Sequence, residues 1–283
     1  MTDAQLAAPA DEVPGLIPND LDATLVLVRH GESDWVAQGL FQGQGDSPLS
    51  ELGRRQAELL AGRLADPHRR PRLPVPVDPP VAIVHSPLSR TTETAELIAA
   101  AMAAPDAFGT PIPRRAEPGF LEIGQGEWEG VPSADVSARW GEILDGWRLD
   151  PLTAWAPGGE SLPAVDARAR VALARLLGDL VAAADPGVVE RSHVLGYGDA
   201  QSDDPWAVVV GHDGLFKVAV LALLDLPLAR FWTFPFALCG ITIIEIRAGR
   251  PRLRLHNATD HLAPLETDES AGHDAARGRT GAL

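Results

Sequence analysis

The chain has one cysteine, Cys239, in 283 residues, so no internal disulfide can form, and no Cys/His cluster has the spacing of a zinc site. A reducing cytoplasm suits that composition, and Cys239, beside a glycine in an apolar stretch, reads as a small buried thiol. Positive charge is also in short supply. With 24 Lys and Arg against 39 Asp and Glu, the formal charge is −15. Nucleic acids and anionic membranes both require a basic surface, so neither is an expected partner, and any anion site must be a local basic pocket. The first residues include Asp3, Asp11 and Glu12 with no basic start or apolar core, which argues against a secretory signal. The most apolar stretch, residues 215–228, is interrupted by Lys217, Asp225 and Pro227 and is too short to span a bilayer.

What is present is an ordinary globular share of apolar residues, 45%, in a chain long enough for one large α/β domain. Residues 1–22 are rich in Ala, Pro and Asp, and residues 266–283 are polar with several glycines. Both are expected to be flexible tails around a body of residues 23–265. Three short continuous apolar runs, TLVLV at 24–28, VAIV at 81–84 and AVVV at 207–210, have the pattern of strands buried on both faces of a parallel sheet. Each is followed by a helical segment, at 52–64, 91–102 and 214–224, which makes the class α/β. Residues 161–184 carry a long apolar stripe and read as a scaffold helix, and 241–246 with 252–255 read as an antiparallel hairpin at a sheet edge. Residues 67–80, with six prolines in fourteen positions, and residues 187–205 read as surface insertions.

Basic side chains gather at the strand ends. Arg29 and His30 end the first strand, Arg90 follows the second at the start of a helix, and His212 follows the run 207–210. In open parallel sheets the crevice beyond the carboxyl ends of the strands takes ligands, and helix N-termini there point N–H groups at anions. Two guanidiniums and two imidazoles converging on one point repel each other unless an anion lies between them, and planar guanidiniums match phosphoryl oxygens. One histidine then attacks phosphorus in line while the other basic groups hold the equatorial oxygens, with no metal or cofactor required. The leaving oxygen needs a proton, and Glu122, in the run FLEIGQGEWEG, is the candidate donor. Taken singly, each of these residues is ordinary: Arg-His-Gly alone arises in on the order of one chain in a hundred.

Taken together, LVLVRHGESDW, QGQGDSPLSELGRRQA, HSPLSRTTETAELIA, FLEIGQGEWEG, PGGES, VVVGHDG, CGITIIEI and LHNATDHL resemble, in order, the histidine phosphatase superfamily in its phosphoglycerate mutase-like branch. The resemblance runs from Thr24 to about Leu262. It implies a three-layer α/β/α fold around a mixed, mainly parallel central sheet, with the site at the carboxyl edge. It also implies phosphorylation of His30, a phosphate pocket completed by Arg29, Arg90 and His212, and Glu122 as proton donor.

The pattern departs at two positions. Relatives commonly carry a phosphate-contacting asparagine after the tryptophan of the first motif, where this chain has Val36 after Trp35, and commonly a basic residue where it has Leu40. Ser33 and Gln42 are candidates to replace the lost donor, and Gln42 and Gly43 are expected to line the pocket. Residues 131–147 place Val136, Trp140, Ile143, Leu144 and Trp147 at helical spacing, which suits either core packing or a cover over the site. Glu160, in PGGES, is given no catalytic duty. Three functions fit this set: hydrolysis of a small soluble phosphomonoester such as a sugar phosphate or phosphoglycerate-like metabolite, a mutase reaction, or non-catalytic phospholigand binding. Val36 and Leu40 weigh against retention of a bisphosphate, and an intact proton donor weighs against pure binding.

Overall fold

The computed structural model describes residues 15–184 and 204–266. Six strands form one sheet: β1 (Ala23–Arg29), β2 (Ala82–His85), β3 (Arg114–Ala116), β4 (Trp206–Gly211), β5 (Ile241–Arg247) and β6 (Arg250–Ala258), in the spatial order β3-β2-β4-β1-β5-β6. The pairs β1–β4, β2–β4 and β2–β3 are parallel, whereas β1–β5 and β5–β6 are antiparallel. The helices are α1 (Asp34–Ala37), α2 (Glu51–Ala65), α3 (Ser89–Met102), α4 (Ser133–Leu149), α5 (Leu162–Ala183), α6 (Asp213–Leu223) and α7 (Ala263–Glu266).

The expected α/β class and mixed, mainly parallel sheet are both present, and the three central apolar runs are strands for the reason their composition suggests. Side chains alternate across a strand. Leu25 and Leu27 of β1 and Ala207 and Val209 of β4 enter one core with α5 and α6. Val26, Val28, Val208 and Val210 enter the other, with residues of α2 and α3. Covering both faces is what removes the polar half from these strands.

β3 is absent from the sequence expectations, because Arg114, Arg115 and Ala116 form an edge strand too short and too polar to show periodicity. Two expectations are corrected. Residues 15–22, placed in a flexible tail, pack on the body: Leu21 is buried, Leu16 and Ile17 lie against the core, and the Leu21 carbonyl accepts the Gly249 N–H at 2.9 Å. Residues 67–80 are more than a surface insertion. Leu73 and Val75 are buried in the core beside α2 and α3, and the Asp78 carbonyl accepts the indole N–H of Trp206 at 2.7 Å. Residues 1–14, 185–203 and 267–283, with the rest of both expected tails and nearly all of the second insertion, lie outside the described residues.

The stripe on α4 resolves toward packing. Val136, Leu144 and Trp147 are buried in the core, Trp140 is half-buried at a break in the helix, and Ile143 faces solvent.

Candidate active site

The register of β1 against β4 brings the basic groups together. Arg29 pairs with Gly211, and the N–H of His30 donates to the Gly211 carbonyl at 3.0 Å, so the residues that follow each strand leave the sheet side by side. The His30 and His212 rings meet edge to face with centroids 5.1 Å apart, both fully buried. Ser86, after β2, extends the same edge by donating its N–H to Val210 at 3.1 Å, which sets the start of α3 and thereby Arg90.

Gly31 is required by close approach. A Cβ there would sit 2.3 Å from the Gly53 carbonyl oxygen, inside the first turn of α2. The chain leaving His30 therefore runs directly against that helix, and the short path holds the imidazole in place. His30 Nδ1 lies 2.6 Å from the Gly31 carbonyl. A carbonyl only accepts, so Nδ1 carries the hydrogen and Nε2 keeps its lone pair. Burial, followed by the charges of Arg90 and Arg29, holds the His30 pKa well below its ordinary value, against a smaller opposing effect of the Gly31 bond. His212 is lowered in the same way by burial, then Arg90, His30 and Arg29. Both rings are thus neutral near pH 7, and neither nitrogen of His212 has a hydrogen-bond partner among the described residues.

Arg90 is completely buried, with its two terminal nitrogens donating to the carbonyls of Gly45 at 3.0 Å and Gly43 at 2.8 Å. Burial pushes its pKa down to about 10, partly opposed by Glu122 and Asp46. Arg29 donates from Nη1 to the Phe236 carbonyl at 2.7 Å, and the Nε atoms of Arg29 and Arg90 are buried without partners among the described residues. Four basic side chains with unspent nitrogens make a cluster suited to an anion.

Glu122 joins this cluster through α6. Its Oε1 accepts the N–H groups of Ile123 and Leu215, both at 2.9 Å, and its Oε2 accepts that of Gly214 at 3.2 Å. His212 is the N-cap of that helix, so the Glu122 carboxyl and the His212 imidazole share one helix terminus. Burial raises the Glu122 pKa, and its bond from Ile123 leads the opposing effects.

The remaining expected residues have other tasks. Gly43 contributes a carbonyl to Arg90. Gln42 donates its amide N–H to Ser33 Oγ, which also caps α1 by accepting the Val36 N–H at 3.3 Å. The two candidates for the missing phosphate donor are bonded to each other, leaving the Ser33 hydroxyl hydrogen and the second amide hydrogen of Gln42 as donors still to be placed. Cys239 is the expected buried thiol, with its pKa raised by burial.

Sequence reasoning missed three groups. Glu129 accepts the N–H groups of Gln44 (2.9 Å), Gly45 (2.7 Å) and Gln125 (2.8 Å), and so shapes the loop whose carbonyls hold Arg90. Asp213 accepts the Phe236 N–H at 3.1 Å and pairs at 2.6 Å with Lys217, the chain's one lysine, which fixes the segment that holds Arg29. Arg168, on α5, reaches the backbone around Glu122. Glu129 and Asp213 stand within the runs FLEIGQGEWEG and VVVGHDG, but their roles rest mainly on backbone distant in sequence, at Gln44, Gly45 and Phe236, as that of Arg168 rests on Leu121 and Glu122. Among the described residues no group of His, Cys, Asp and Glu is arranged to hold a metal ion.

A family model for the histidine phosphatase superfamily (branch 1) matches residues 25–259. The chain is 31% identical over 238 residues to phosphoserine phosphatase 1 of Hydrogenobacter thermophilus, covering 84% of this chain and 93% of that protein. It is 34% identical over 208 residues to the glucosyl-3-phosphoglycerate phosphatase of Mycobacterium tuberculosis, covering 73% and 78%. The solved structure of a mycobacterial glucosyl-3-phosphoglycerate phosphatase in complex with VO3 superposes with a TM-score of 0.62 at 30% identity, over 83% of this chain and 98% of that one.

Proposed function

The chain belongs to the histidine phosphatase superfamily, and from that membership we propose that it hydrolyses a small phosphorylated metabolite through a phosphohistidine on His30. The observation that carries this reading is the neutral His30 imidazole, anchored through Nδ1 to Gly31 and facing His212 within the charge field of Arg29 and Arg90. Nε2 attacks phosphorus in line. Arg29, Arg90 and His212 stabilise the equatorial oxygens of the transition state, where their unspent nitrogens find partners.

Glu122 serves as the acid and then as the base toward water. Its Oε1 already accepts two N–H groups, so Oε2, with one longer bond, is the oxygen that carries the proton. The P–O bond to the substrate breaks, the Oε2 proton passes to the departing oxygen, and the resulting carboxylate deprotonates the water that releases phosphate from His30. Val36 and Leu40 in place of polar or basic groups favour release over return of the phosphoryl group to a second hydroxyl. The names of the relatives, a phosphoserine phosphatase and a glucosyl-3-phosphoglycerate phosphatase, support a small phosphomonoester as the substrate class. The single buried thiol supports a cytoplasmic setting. Among the described residues no helix is long and apolar enough to cross a membrane.

Rapid quenching during turnover of a phosphoryl-labelled ester tests the mechanism. Label is expected on His30 by peptide mapping and absent from His30→Ala. Label on another residue, or hydrolysis retained by His30→Ala, refutes it.

A further inference from the structure

Glu122 stands in a loop with no regular hydrogen bonding of its own, between short 3-10 turns at Pro118–Phe120 and Gly126–Trp128. A general acid must be placed within hydrogen-bond reach of one oxygen, which a free loop does not provide. The placement comes from outside the loop. Arg168 Nη1 donates to the carbonyls of Gly119 at 3.1 Å and Leu121 at 2.7 Å, and its Nη2 donates to that of Glu122 at 2.8 Å. Glu160 grips the same guanidinium through two bonds, Nε to Oε1 at 2.9 Å and Nη2 to Oε2 at 2.8 Å.

Glu160 also binds the loop. Its Oε2 accepts the Gly124 N–H at 2.8 Å and the Gln44 amide at 2.9 Å, and its own N–H donates to the Gly124 carbonyl at 2.8 Å. Gln44 closes the ring by donating to the Glu122 carbonyl at 3.2 Å. The contact is built for close approach, since a Cβ on Gly159 would lie 2.4 Å from the Gly124 oxygen. Ion pairing with Arg168 and these N–H bonds hold the Glu160 pKa below its ordinary value despite partial burial, so Glu160 is a carboxylate at working pH.

We propose that Arg168 and Glu160 are positioning residues for the acid: together they clamp the backbone of residues 119–124, so that the Glu122 carboxyl is held against α6 beside His212. This rests on the reading of Glu122 as proton donor. Neither side chain is assigned contact with substrate. The guanidinium bonds three carbonyls and both Glu160 oxygens at once, more partners than the three N–H groups of an ammonium can serve, and a misplacement near 1 Å at a reacting group costs on the order of 10²-fold in rate.

The test is the leaving-group dependence of kcat/KM across substituted phenyl phosphates, from p-nitrophenyl to unsubstituted phenyl. These esters share one shape and differ in how much their departing oxygen needs a proton. A lost or misplaced acid lowers kcat/KM for phenyl phosphate by on the order of 10²-fold and for p-nitrophenyl phosphate by only a few-fold. Arg168→Met is expected to steepen the dependence as Glu122→Gln does, and the double variant to be no steeper than Glu122→Gln alone. Arg168→Lys, which keeps the charge opposite Glu160, is expected to fall between native and Arg168→Met, and it provides the reading if Arg168→Met does not fold. A uniform loss across the series in the Arg168 variants, with Glu122→Gln steepened, overturns the positioning role alone. A native dependence in Glu122→Gln overturns the acid assignment and this proposal with it.

Discussion

Acidification should weaken the ligand-free protein through the two facing histidines. His30 and His212 are fully buried, and both pKa values lie well below 6.5, chiefly from burial and then from neighbouring positive charge. In the unfolded chain each takes up a proton near the ordinary value of 6.5. Below that pH the unfolded state binds more protons than the folded one, so stability falls as pH falls, until the folded pKa values are reached. The slope approaches about 1.4 kcal/mol per pH unit for each histidine, which amounts to roughly 2 kcal/mol for the pair across the first unit below 6.5. Against a domain stability of about 5–15 kcal/mol that is a large change.

Urea denaturation at about pH 7.5, 6.5 and 5.5 would measure it, comparing the native protein with a His30→Asn/His212→Asn variant. The native curve should drop by roughly 2 kcal/mol more than the variant's over the lower interval. Glu122 has the opposite sign, since its raised pKa lowers stability as pH rises from 4.5 through the folded value, and it is common to both proteins. Saturating orthophosphate should flatten the native curve by offsetting the guanidinium charges. Parallel loss in the two proteins would refute the assignment of two neutral buried imidazoles.

Gly31→Ala should cost about 3 kcal/mol in urea denaturation and most of kcat/KM, because the new methyl collides with the Gly53 carbonyl; an unchanged midpoint would show that α2 yields freely. Glu129→Ala should cost about 2–3 kcal/mol by leaving the N–H groups of Gln44, Gly45 and Gln125 without their acceptor. It should also raise the inhibition constant of orthophosphate, as the loop holding Arg90 loosens; lost stability with an unchanged constant would separate the loop from phosphate binding.

Much of this molecule follows from its sequence alone. Apolar runs with helices after them determine an α/β class, because a strand buried on both faces has no room for polar residues. An acidic chain with Arg29, His30, Arg90 and His212 at strand ends implies a local anion site. Other features are decided by tertiary contacts. The β1–β4 register places His30 against His212, and β3 is a strand only because β2 offers it an edge. Leu73 and Val75 are buried because the face beside α2 and α3 is open to them, in a proline-rich segment whose composition suggests the surface. The support of Glu122 by Arg168, Glu160 and the N-terminus of α6 is likewise invisible in sequence. Hydrogen bonds to backbone groups depend on where a carbonyl or N–H stands in space, and side-chain identity at those positions does not record it.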